Sequence, residues 1–156
     1  MKSKKIFVLL AILIILCSSI CAVSAGWFDN KITVNGMDFN IPEGYEEGSS
    51  GPSANKYLIL GYTGEYKICH DKGNNYGNEI WITVIDKNPN GTTLSLSDAV
   101  FPEKFRDLKN DTIGNKTGIS YKSSSFPYTK TFVYIVNGKL IEIMVPTDVN
   151  IEDIIR

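Results

Sequence analysis

The sequence predicts an α+β fold: a mainly antiparallel β-sheet of about six to seven strands, with one mid-chain helix and a short C-terminal helix packed on it. Three observations point there. Runs rich in β-branched and aromatic residues recur along the body, separated by Gly-, Pro- and Asn-rich turns. Two hairpins are marked by Asn-Gly, at Asn35-Gly36 and Asn137-Gly138, the dipeptide suited to the positive φ that both central positions of a tight hairpin need. Two segments, 95–110 and 147–156, space their apolar residues as helices do.

The first 25 residues stand apart from this pattern. Lys2, Lys4 and Lys5 precede an apolar stretch over 6–23, and Val23, Ser24 and Ala25 follow as a small-residue cleavage site. A basic flank, an apolar centre and such a site describe a secretory signal cut after Ala25. At 18 residues, the stretch also approaches the length of a spanning helix, so an uncut segment is an N-terminal membrane anchor. Either way the lysines stay inside and the body, 26–156, lies outside the cytoplasm as one domain. Cys17 and Cys21 are not preceded by the small residue that lipid attachment requires.

Without this segment the body carries 13 basic and 17 acidic residues, a formal charge of −4. No basic cluster is present to meet a phosphate backbone, so a nucleic-acid partner is excluded. An anionic membrane surface is disfavoured on the same ground, which leaves the N-terminal segment as the predicted membrane contact. Cys69 is the only cysteine of the body. No internal disulfide is possible there, and the domain must hold together by burying apolar surface.

The elements follow in order. Residues 31–35 and 37–41 form a hairpin around Asn35-Gly36, ended by Pro42 and Gly44. Residues 46–55 hold Gly, Ser and Pro with almost nothing apolar and read as a mobile surface loop. Strands are predicted over 57–62 and 65–69, with a turn at Thr63-Gly64, and a polar loop follows Cys69. Residues 79–86 are apolar on both parities: Ile80, Ile82 and Val84 against Trp81 and Ile85. A strand covered on both faces reads this way, and helices are the expected cover. In 95–110, Ser95 and Asp98 have capping-box spacing, and Phe101, Phe105 and Leu108 fall on one helical face. Pro102 fits only the first turn of that helix. A meander follows through 118–146: Ile119 and Tyr121 alternate with Ser120 and Lys122, then two strands meet at Asn137-Gly138. The last helix carries Ile151, Ile154 and Ile155 as one stripe, capped by Asp148 or Asn150, and is short enough to need docking.

The opening phrase "FNIPEGY", the "LSDAV" segment and the closing "TDVNIEDII" resemble small exported proteins of methanogenic archaea, and the strand and helix order resembles the Mog1/PsbP-like fold. The resemblance spans about 31–155 and implies architecture; it brings no functional residue with it.

Chemical candidates are few. Asp86, Asn88 and Asn90, followed by Gly91, match the first half of a calcium loop, whose alternate side-chain oxygens converge on one hard cation. The twelfth position is Ser97 where such loops place a bidentate Glu, and a strand precedes the loop where a helix is usual. A polar turn uses the same residues. Asn90, Asn110 and Asn115 head N-x-[ST] sequons, usable on an exported domain. Cys69 and His70, the single histidine, invite a thiol- or histidine-dependent reaction. Neighbours on a strand point to opposite faces, so the two do not form a dyad with each other. Walker, nucleophile-elbow, H-E-x-x-H and C-x-x-C motifs are absent from the body, and no cofactor is indicated. The reading is a non-enzymatic, extracytoplasmic binding or envelope-associated module whose partner is a protein or cell-envelope component. The alternatives are an enzyme using Cys69 or His70, and a calcium-binding surface module.

Overall fold

A computed structural model describes residues 30–53, 63–73, 77–87, 93–99, 101 and 105–155. The signal or anchor segment, and the strand expected over 57–62, lie outside them.

Strands β1 (Lys31–Val34) and β2 (Met37–Asn40) form a two-stranded ribbon. A seven-stranded antiparallel sheet holds β3 (Tyr45–Ser53), β4 (Thr63–Asp71), β5 (Glu79–Lys87), β6 (Phe105–Ile113), β7 (Lys116–Ser123), β8 (Thr129–Val136) and β9 (Lys139–Pro146). Its spatial order is β3-β4-β5-β9-β8-β7-β6. The chain therefore leaves β5, crosses to the far edge, and returns strand by strand until β9 pairs with β5.

Turn chemistry sets the registers. Asn35 (φ 47°) with Gly36 (φ 75°), and Asn137 (φ 52°) with Gly138 (φ 72°), show the paired positive φ of type I′ turns. A third tight turn, Gly114-Asn115, joins β6 to β7 with positive φ at Gly114 alone, as a II′ turn requires.

The sheet is covered on both faces. On the first, Ile80, Ile82 and Val84 of β5 meet Phe132, Tyr134, Ile141, Ile143 and Val145. The ribbon lays Ile32, Val34, Phe39 and Ile41 over them, and Ile151 and Ile154 complete the layer. On the second face, Ile85, Val133, Leu140 and Tyr121 are covered by Leu94, with Leu96, Ala99 and Phe101 packed alongside. The expectation of cover on both faces of β5 holds, but a ribbon and extended segments supply it.

The α+β expectation is corrected. The fold is mostly antiparallel β, and among the described residues no helix reaches seven residues. The mid-chain helix reduces to a 3₁₀ turn, Leu96–Asp98. Its capping residues do meet, for Asp98 Oδ2 accepts from both the Ser95 N–H and the Ser95 hydroxyl at 2.8 Å. The chain then turns extended at Ala99, and Phe105–Ile113 pairs with β7 as the sheet edge. Pro102 bars helix growth beyond the first turn, whereas the edge supplies a full ladder of backbone bonds. Leu108 is consequently half exposed. The C-terminal helix is likewise a 3₁₀ turn, Ile151–Asp153, capped by Asn150, which accepts from the Glu152 N–H. Its isoleucines do dock in the core; the segment is too short to repay helix nucleation. The loop expected over 46–55 is, up to Ser53, edge strand β3, with a bulge between Glu47 and Ser50. Among the described residues no helix is long and apolar enough to cross a membrane.

Candidate functional site

Cys69 and His70 point to opposite faces of β4, as period two requires. Cys69 pairs with Ile80 and is fully buried in the first-face core. Burial, seconded by the Glu47 carboxylate and opposed by the Lys67 ammonium, pushes its thiol up to about 12. A thiol so held supplies almost no thiolate at neutral pH. His70 lies on the second face, half exposed, with Nδ1 3.3 Å from Glu79 Oε1. The same carboxylate accepts from Trp81 Nε1 at 2.9 Å, and Trp81 stacks on Tyr66 with centroids 6.1 Å apart.

Asp86, the penultimate residue of β5, has Oδ2 3.8 Å from Lys139 Nζ, which also donates to the Asn35 carbonyl at 2.6 Å. Asn88 and Asn90 lie outside the described residues. Among the described residues no three His, Cys, Asp or Glu side chains gather as metal ligands. Asn110 is exposed on edge strand β6 and Asn115 is exposed at the second position of the β6–β7 turn.

The structure brings together a different set. The ribbon packs nearest β4 and β5, and β6 forms the opposite edge of the sheet. There, a cavity of about 430 Å³ is lined by Lys109 and Asp111 of β6, Ser120 and Lys122 of β7, Lys130 of β8, and Asn150 beside the C-terminal turn. Ladder registers explain the convergence: Lys109 stands opposite Ser120 and Asp111 opposite Gly118, so their side chains share one face. The bulge after Arg106 adds Asp107, whose φ of 56° marks the irregularity.

Its electrostatics are those of a solvated groove. Ser120 Oγ donates to Asp111 Oδ2 at 2.8 Å, and Lys109 Nζ lies 3.4 Å from the same oxygen. The Ser120 bond, helped by Lys109 and the Thr112 N–H, holds the Asp111 carboxyl below its ordinary range. Lys122 pairs with Asp107 at 3.5 Å, and Lys130 Nζ donates to the Thr147 carbonyl at 3.1 Å. Three ammonium groups thus face two carboxylates across one concave strip.

No protein-family model, curated protein or solved structure matches this chain.

Sequence reasoning missed the groove because Asp107, Lys109 and Asp111 belong to a segment whose first part has helical spacing. The available signal was the alternation in β7, which sends Ser120 and Lys122 to the face opposite Ile119 and Tyr121.

Proposed function

We propose that the chain is a non-enzymatic, extracytoplasmic binding or envelope-associated module, secreted or tethered by residues 1–25, whose ligand surface is the groove over β6, β7 and β8. The kinship to small exported archaeal proteins belongs to the same proposal. One observation carries it: Lys109 and Lys122 present amines on a concave surface while engaged only in exposed ion pairs. Such pairs contribute at most about 1 kcal/mol each, so a ligand anion exchanges with Asp107 or Asp111 at little cost. The fitting ligand is an anionic component of the cell envelope, carboxylated or phosphorylated.

The test compares the chain with its Lys109→Glu/Lys122→Glu variant for retention on immobilised envelope material over a salt series. Both side chains are more than half exposed, so the variant should keep its melting temperature. Loss of retention in the variant, with wild-type retention falling as salt rises, supports the reading. Equal retention by both proteins refutes it.

A further inference from the structure

We infer that the β7–β8 turn is a membrane-docking tip, which rests the sheet on the lipid surface beside the N-terminal anchor. The inference rests on the tethered form of the reading above and concerns a surface outside the groove.

Among the described residues the exposed large apolar side chains are Leu108, Phe126 and Tyr128, at 50%, 56% and 81% exposure. Two of the three lie on the single turn between Ser123 and Thr129. That turn is hydrogen-bonded within itself. The Phe126 N–H donates to the Ser123 carbonyl at 3.3 Å, and the Ser125 N–H to Ser123 Oγ at 3.2 Å. Thr129 returns two bonds to the Phe126 carbonyl, from its N–H at 3.1 Å and its hydroxyl at 2.8 Å. The aromatics are thus displayed by a hydrogen-bonded turn, and each leaves more than half of its side chain exposed.

The position of the chain's N-terminal side says what covers them. Asn30 precedes β1, and its carbonyl accepts from the Ile41 N–H at 2.8 Å. Asn40 donates to the Ile154 carbonyl at 3.1 Å, and Thr147, just past β9, donates to the Tyr128 carbonyl at 3.0 Å. The opposite end of the ribbon is fixed by the Asn35 N–H, which donates to Glu65 Oε2 at 2.6 Å, and by Lys139. Ile41 leads through Pro42 to Tyr45, which pairs with Asp71 at the end of β4. The β4–β5 and β5–β9 registers put that end level with the end of β9. Asn30, bonded to Ile41, therefore leaves the body at the end of the sheet where β8 begins and β9 stops, which is the end that carries Phe126 and Tyr128. From Val23, the last residue of the apolar stretch, to Asn30 the chain reaches at most about 25 Å. Trp27 lies in that link beside Phe28, and Trp, like Tyr, favours the headgroup region. A tether this short holds the aromatic turn within reach of the bilayer from which it emerges.

Charge does not drive the contact. The same end carries Lys31 and Lys72, but also Glu43 and Asp148, all exposed, and of the two lysines that flank the turn Lys122 pairs with Asp107 and Lys130 donates to the Thr147 carbonyl. Docking is by aromatic insertion at the interface, so it proceeds on neutral lipid and resists salt.

The test uses the full chain in phosphatidylcholine vesicles, with Cys17→Ser and Cys21→Ser so that only an introduced thiol is labelled; Cys69 is buried. A fluorophore is placed at Ser125→Cys on the turn or at Asn115→Cys at the far end of β7, about 25 Å away along the strand. Quenching by headgroup nitroxide lipid should be severalfold stronger at 125 than at 115. It should persist at high salt, and fall to the level of 115 when Phe126→Ser and Tyr128→Ser are added. Equal quenching at the two sites, or quenching at 125 indifferent to the serine pair, overturns the docking. Flotation of the native chain with membranes after alkaline extraction separates the two layers of the argument. A chain that fails to float removes the tether and the inference with it, while a floating chain unquenched at 125 overturns the docking alone.

Discussion

Tyr121 and Glu142 are joined across β8: the phenol of β7 donates to Glu142 Oε1 of β9 at 2.6 Å, on the second face of the sheet. Tyr121 is buried there, and burial, then the Glu142 charge and the bond itself, raise its phenol far above the ordinary range. A bond to a charged acceptor contributes about 1.5–3 kcal/mol. Tyr121→Phe should lose that much in urea unfolding, because it keeps the ring and its edge contact with Phe101 while stripping a donor from Glu142. An unchanged midpoint would show the bond to be ornamental.

Thr131 sits opposite Tyr121 in the ladder, and among the described residues its buried Oγ1 meets no partner in hydrogen-bonding geometry, though it approaches the Tyr121 phenol closely enough to oppose that group's rise slightly. A buried hydroxyl left without a bond costs about 1–3 kcal/mol. Thr131→Val should therefore be neutral or stabilising. A clear drop in melting temperature would mean that the hydroxyl bonds in solution.

Cys69 should resist thiol reagents in the folded protein and react at the rate of unfolding. Its raised pKa also sets a sign for alkaline stability. The folded protein keeps the proton to about 12, whereas the unfolded chain loses it from about 9. The contribution is complete below 9 and declines by about 1.4 kcal/mol per pH unit from there to about 12. Cys69→Ala should flatten that part of the profile, measured by urea melts across the range; an identical slope in both proteins would rule the thiol out as the source.

Two glycines of the second face differ in how much room a side chain could find. A Cβ at Gly64 would run into the Val84 carbonyl and stand 2.7 Å from Ile85 Cα, both backbone. At Gly48 it would overlap the His70 ring, which can swing, and reach the Ile68 carbonyl at 3.0 Å. Gly64→Ala should cost about 1–3 kcal/mol or more through strand separation. Gly48→Ala should cost less while shifting the imidazole resonances of His70 away from Glu79. The reverse order of stabilities would contradict this packing.

Asp111 carries the pH response of the groove. Its carboxyl is held low chiefly by Ser120, so the associated stability is present above its ordinary pKa and is lost as pH falls through the lowered one. Ser120→Ala should move the Asp111 titration, followed by carboxyl-carbon NMR, back toward 3.8. A titration that stays put would assign the shift to Lys109.

Strand pairing was legible at the two Asn-Gly hairpins, whereas the turn expected at Thr63-Gly64 is the start of β4, paired with β5. Asn35-Gly36 and Asn137-Gly138 named their hairpins, and the two-sided burial of β5 followed from Ile80, Ile82, Val84 and Ile85. The opposite-face placement of Cys69 and His70 followed from period two alone. The failures share a cause. Phe101, Phe105 and Leu108 match a helical face by spacing, yet edge pairing with β7 overrode that weak local preference. In the same way 46–53 has a loop's composition, and β4 made a strand of it. With β6 unread, the charges it contributes could not be seen to converge with Ser120 and Lys122.

The order β3-β4-β5-β9-β8-β7-β6 also has a kinetic meaning. Every ladder of the sheet joins chain neighbours except one, the seam that pairs Trp81 with Met144 and Ile85 with Leu140. Two meanders can thus assemble from local contacts, and only the seam must close a loop of about 60 residues. Zipping β5 to β9 is the slow step such a topology imposes. Ile82→Val and Ile143→Val at the seam are the substitutions expected to slow refolding most, while equivalent changes in the ribbon speed unfolding instead.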